Sequence, residues 1–107
     1  MSGTFGEMGN LLKQAQQMQR ELDRVREELT HLRVEASAGN GAVRVEVSGD
    51  GMIQKVHIKP EVMRSVDASQ LEDAIFSATR DALQNAAKMR AEKMSKVTGG
   101  LNLPGIL

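Results

Sequence analysis

Two turn-forming pairs, Asn40-Gly41 and Asp50-Gly51, stand among alternating valines and constrain this chain more tightly than any other feature. Both accept positive φ, as the central residues of two-residue hairpin turns must. Folding about Asn40-Gly41 sets Ala38 opposite Val43, Ala36 opposite Val45 and Val34 opposite Val47. Folding about Asp50-Gly51 sets Val43 opposite Ile58, Val45 opposite Val56 and Val47 opposite Gln54. The two turns independently place one apolar face on the same side of all three strands, so local and global signals agree. The other face carries Glu35, Glu46 and Lys55 in a row, with Arg44 beside His57, and reads as a solvated face.

A long helix precedes this meander and another follows it. Met8, Leu11, Ala15, Met18, Leu22, Val25, Leu29 and Leu32 recur in alternating steps of three and four, predicting a helix from about residue 7 to residue 32 with a heptad seam. Taking Met8 as position a puts Glu21 and Glu28 at g and Arg26 and Arg33 at the following e positions, which would attract in a parallel two-stranded coil. The same stripe serves equally for packing on a helix of the same chain. Pro60 ends the third strand, and a short helical turn leads to a second long helix. Asp67 with Gln70, or Ser69 with Glu72, can form the capping box that starts it. It runs to about Val97 with Leu71, Ile75, Ala78, Ala82, Ala86 and Met89 along one face, the alanines permitting close approach to a helix or sheet. The expected organisation is one α+β domain over residues 1–97, ordered long helix, three-stranded antiparallel meander, long helix. The Gly-Gly and Pro-Gly of "TGGLNLPGIL" predict a mobile tail over 98–107.

Composition excludes much. The 107 residues suit a single modest core. The absence of Cys removes disulfides, thiolate nucleophiles and Cys-based zinc sites. No basic leader with an apolar run opens the chain and no stretch is apolar enough to span a bilayer, so a soluble cytoplasmic protein is expected. His31 and His57 lie apart from any ligand spacing, and neither a nucleophile elbow nor a phosphate-binding glycine motif is present. Carboxylates sit beside basic residues on helix faces, the pattern of helical support rather than acid–base catalysis. The expectation is a protein with no enzyme activity, no metal and no cofactor.

With Phe5 and Phe76 as the two aromatic residues, stacking on single-stranded nucleic acid is disfavoured, whereas duplex DNA requires only positioned cations and donors. The formal net charge is zero, yet the charges are segregated. Lys13, Gln17, Arg20 and Arg24 form one stripe opposite the seam of the first helix. On the last helix Arg80, Lys88, Arg90, Lys93 and Lys96 face only Asp81 and Glu92 between residues 80 and 96. If the long helices run antiparallel, the N-terminal half of the first lies beside the C-terminal half of the second, the basic patches meet, and Glu27 and Glu28 sit at the other end. The bland alternative is a pair of solvated helix faces, with cations favoured near a C-terminus by the macrodipole.

The stretches "LLKQAQQMQ", "VRVEVSGDGMIQKVHI" and a closing "GG" followed by "LPG" occur in this order and at matching spacing. Along nearly the whole chain the sequence resembles the YbaB/EbfC family of nucleoid-associated proteins. The resemblance implies a small cytoplasmic homodimer whose long helices project like the arms of tweezers, binding duplex DNA at the bacterial nucleoid without a membrane or small-molecule substrate. Contacts from the projecting helices would fall on Lys13, Gln17, Arg20 and Arg24, and on Lys88, Arg90, Lys93 and Lys96; their choice leans on the charge map. Two readings follow: a nucleoid-associated DNA-binding homodimer with an architectural or regulatory role, or a coiled-coil type scaffold or adaptor that binds proteins and meets DNA incidentally.

Overall fold

The computed structural model describes residues 2–99, with side chains from residue 6 onward. Along the chain run α1 (Ser2–His31), β1 (Arg33–Ala38), β2 (Val43–Ser48), β3 (Ile53–Ile58), α2 (Val62–Ser65) and α3 (Ala68–Thr98). This is the expected α+β order, with the strands in the sheet order β1-β2-β3 and both pairings antiparallel.

The first hairpin adopts the expected register throughout, Ala38 pairing with Val43 and Val34 with Val47. Asn40 and Gly41 both take positive φ, and Ala42 N–H donates to Gly39 O at 3.1 Å. The second hairpin departs from expectation at its tip. Val43 faces Ile58 and Val45 faces Val56, but Val47 faces Ile53 rather than Gln54. The cause lies in the turn. Ser48 N–H donates to Met52 O at 2.8 Å and Gly51 N–H to Ser48 O at 2.9 Å, so the loop has three residues, with Gly51 in the left-handed position at φ 91°. A three-residue loop shifts the register by one, and an irregularity between Glu46 and Val47 restores it. The buried Ser48 hydroxyl braces this turn, hydrogen-bonding Asp50 and accepting from Met52 N–H at 3.1 Å.

Val43, Val45 and Val47 project onto Ala78, Ala82 and Ala86 of α3, and all six side chains are fully buried. Small alanines let the helix axis approach the sheet closely, which is why this stripe carries no larger residue. Asp67 caps α3 through the capping box with Gln70, the first of the two alternatives. Gly99, left-handed at φ 66°, ends it, so Thr98 belongs to the helix and not to the tail; residues 100–107 lie outside the described residues.

α1 begins at Ser2 instead of near residue 7. The opening residues carry no seam position, so periodicity is silent there, whereas a nucleated helix extends at one hydrogen bond per residue. Among the described residues, only the later part of α1 meets the rest of the chain. Leu22, Val25 and Leu29 are buried with Met94, flanked by Met18, Leu32, Met89 and Val97. The N-terminal half projects as an arm, and the molecule measures 78 × 21 × 16 Å. Its radius of gyration is 20.6 Å, against about 13 Å for a compact domain of similar length.

Gly49 locks the base of the arm. Its N–H donates to Leu29 O at 2.9 Å and Leu32 O at 3.1 Å, satisfying carbonyls that the end of α1 leaves open. Its own carbonyl accepts from Arg90 Nη1 at 3.1 Å, so one residue ties α1, the second hairpin and α3 together. A Cβ at this position would lie 2.8 Å from Leu29 O.

Candidate nucleic-acid interface

α1 and α3 run antiparallel, as Lys93 opposite Glu28 and Val97 beside Met18 require. The overlap differs from the expected one. The C-terminal half of α1, from Met18 onward, lies beside the end of α3, because α1 leads directly into β1 of the sheet that α3 covers. α3 stops at Thr98, so among the described residues nothing covers Met8, Leu11 or Ala15.

Where the helices meet they enclose an open groove of about 640 Å³. Gln17 and Arg24 line it from α1, and Lys93 and Lys96 from α3; Met18, Val25 and Val97 contribute its apolar surface. Four of the eight sequence-selected residues therefore share one site. Lys13 and Arg20 are exposed on the same stripe of α1, four residues before Gln17 and Arg24 respectively. Lys88 is exposed on another part of α3, and Arg90 is turned to the hairpin, where its hydrogen bond to Gly49 O serves the fold.

The cations differ in availability. Lys13, Arg20, Lys88 and Lys96 have no hydrogen-bond or ion-pair partner among the described residues. Arg24 is held by Glu21, with Nη2 at 2.9 Å and Nε at 3.2 Å from Oε2, and its Nη1 lies 3.4 Å from Glu28 Oε2. The hydrogen bond to Glu21, then the charges of Glu21 and Glu28, raise the guanidinium pKa above its ordinary value despite some desolvation. Lys93 Nζ donates to Glu28 Oε1 at 3.1 Å. Glu28 is thus inside the groove and not at a distant acidic end; Glu27 instead meets His31 at 3.2 Å. Glu21, Glu28 and Gln14 are groove residues that the cation map did not select. The i to i+3 and i to i+4 spacings around Arg24 signal the two acids in the sequence, whereas the Glu28–Lys93 meeting depends on the register of two distant helices.

The outer sheet face carries the expected charged rows, Glu35 with Glu46 and Lys55, and Arg44 with His57. His57 Nε2 lies 2.7 Å from Glu46 Oε2. That hydrogen bond, followed by the charges of His57, Arg44 and Lys55, holds the Glu46 carboxyl below its ordinary pKa against an opposing desolvation effect. Among the described residues no cluster of three or more His, Cys, Asp or Glu side chains could hold a metal ion. No described helix is long and apolar enough to cross a membrane.

A small helix–meander–helix protein with a projecting helical arm and a groove lined by Arg24, Lys93 and Lys96 is the class that fold and site define. The YbaB/EbfC DNA-binding family matches residues 5–101, and the chain belongs to that family. A nucleoid-associated protein of Acetivibrio thermocellus is 48% identical over 105 residues, covering 97% of this chain and 93% of the relative. One from Alkaliphilus metalliredigens is 42% identical over 99 residues, covering 92% and 87%. An uncharacterized Helicobacter pylori protein of known crystal structure shares the fold at a TM-score of 0.72 and 21% identity, covering 89% of this chain and 97% of its own. The family is named for DNA binding and not for a reaction.

Proposed function

We propose that this chain is a cytoplasmic, nucleoid-associated protein that binds duplex DNA as a homodimer, chiefly through phosphates, in an architectural or gene-regulatory role. The observation that carries the reading is the cationic stripe at the α1–α3 groove: Gln17 and Lys96 line the groove, and Lys13 and Arg20 continue the same stripe of α1, the three cations without partners among the described residues, in a chain of zero net charge. Phosphate binding requires this local concentration of cations and amide donors, with no base-reading motif. Three phosphates neutralised per arm give a log–log salt slope of about −3.

Dimerisation is supported by a second surface. α3 packs across β1 and β2 and leaves β3 at the sheet edge. Ile53 and Val56, cross-strand partners of the core residues Val47 and Val45, remain 54% and 42% exposed, and Phe76 on α3 is 65% exposed. Exposed Ile53 and Val56 on a strand at the sheet edge fit a second copy of the same surface, and Phe76 is a separate exposed apolar residue on α3. Two arms per dimer would add avidity on one duplex or join two.

Titration of fluorescent duplex DNA at several salt concentrations, with the solution mass measured in parallel, tests the proposal. Binding by a dimer that weakens steeply with salt is expected; a monomer, or no binding at low salt, would overturn the corresponding half. The exposed Met8, Leu11 and Leu12 favour the second reading, a protein-binding module. Its mark would be capture of a protein partner by this seam with little salt dependence.

A further inference from the structure

The cationic groove carries its own competitor for phosphate. Glu28 divides its carboxylate between two cations on different helices, Oε1 accepting from Lys93 Nζ at 3.1 Å and Oε2 from Arg24 Nη1 at 3.4 Å. Glu21 takes the remaining edge of the Arg24 guanidinium. Glu21, Arg24, Glu28 and Lys93 form a chain of alternating charge with zero sum, beside Lys96, which has no partner among the described residues. The side chains are only partly buried, from 32% exposed for Lys93 to 60% for Arg24. Pairs so exposed add little to stability and exchange readily for another anion.

We infer that Glu21 and Glu28 form an autoinhibitory clasp that withholds Arg24 and Lys93 from DNA phosphate. This rests on the DNA-binding reading proposed above. In the free protein the clasp cancels two cations of the groove. When a duplex enters, phosphate oxygens displace the carboxylates, an exchange of one charge-assisted pair for another. The displaced carboxylates stay within the groove, repel the incoming phosphates and recruit cations from solution, which reduces the net counterion release that drives binding. The groove therefore binds more weakly than its count of Lys and Arg suggests. A partner or condition that engages the two glutamates would strengthen it.

The test compares duplex affinity and salt slope for the wild type, Glu21→Gln/Glu28→Gln, and a control, Glu72→Gln/Asp73→Asn. The control removes the same charge near the start of α3, about 30 Å from Lys93 at the helical rise and well beyond a Debye length of about 8–10 Å. The clasp variant should bind about tenfold more tightly near physiological salt and steepen the log–log slope by about 2 as Arg24 and Lys93 each reach a phosphate. The control should match the wild type. Equal gains in both variants would mean that net charge alone acts, and the clasp is overturned. Unchanged binding by the clasp variant, with binding lost in Lys13→Glu/Lys96→Glu, overturns the clasp while the DNA reading stands. No binding by any form removes the DNA reading and the clasp with it. Glu21→Gln alone, which touches only a contact within α1, guards against loosening of the helix pair and should give a smaller gain with an unchanged melting temperature.

Discussion

One seam runs the length of α1 and meets two fates. Leu22, Val25 and Leu29 are 3%, 4% and 1% exposed against α3, while Met8 and Leu11, in the same heptad phase, are 63% and 65% exposed. The repeat is continuous across both halves, so the difference lies in what stands opposite. α3 reaches the first group and ends before the second. A periodic stripe therefore names the face that packs and is silent about what covers it. In this chain the covered half stabilises the body and borders the groove, and the uncovered half projects beyond it as an arm.

Alanine substitutions sharpen the contrast directly. Leu29→Ala should cost about 2–5 kcal/mol in chemical denaturation, whereas Leu11→Ala should stay within about 0.5 kcal/mol as an exposed change. Equal losses would mean that the arm is covered in solution. Gly49→Ala should come next, at about 1–3 kcal/mol, because a new methyl must displace the Leu29 carbonyl and side chain and the tip of Met89. Its unfolding midpoint should fall while far-ultraviolet circular dichroism keeps the helical signal of the folded state; a midpoint equal to wild type would release Gly49 from its role at the base of the arm. Asp67→Ala should cost about 1 kcal/mol by removing the cap of α3, measurable in the same denaturation series.

The smallest effect concerns pH. The Glu46 carboxyl is held below its ordinary value of 4.5 by His57. A depressed carboxyl contributes stability that is complete above its unfolded pKa and is lost as pH falls through the lower folded value. Glu46→Gln should therefore flatten the acid limb of the stability curve below about pH 4.5 and leave that limb's other contributors in place. An acid limb identical to wild type would mean that the pair is broken in solution.

Much of this architecture was legible because its signals are local. The Asn40-Gly41 turn, the alternating valines, the Asp67 capping box and the alanine stripe of α3 each depend on residues a few positions apart. The Asp50-Gly51 pair predicts a register that is off by one at Val47, because the same dipeptide suits a two-residue turn and a three-residue loop. Ser48, buried in that turn, favours the longer loop through contacts invisible in a propensity. The site was legible as a set of cations but not as a groove. Which cations are free and which are held depends on the α1–α3 register, and that register follows from the length of α3 and the tether of α1 to β1. Arg90 illustrates the loss: it lies within about a third of the helix circumference of Lys93 and Lys96, yet its guanidinium donates to the Gly49 carbonyl.

Charge reversal on the arm against charge reversal on the body tests the central claim most directly. Lys13→Glu/Lys96→Glu and Lys55→Glu/Lys59→Glu change net charge equally, the first pair on the arm and at the end of α3 where it lines the groove, the second on and after β3. Duplex titration over a range of salt should show the arm variant losing more than about tenfold in affinity and about 2 units of log–log slope, with the body variant close to wild type. Equal losses in both variants, or a greater loss in the body variant, would contradict the assignment of DNA binding to the arm.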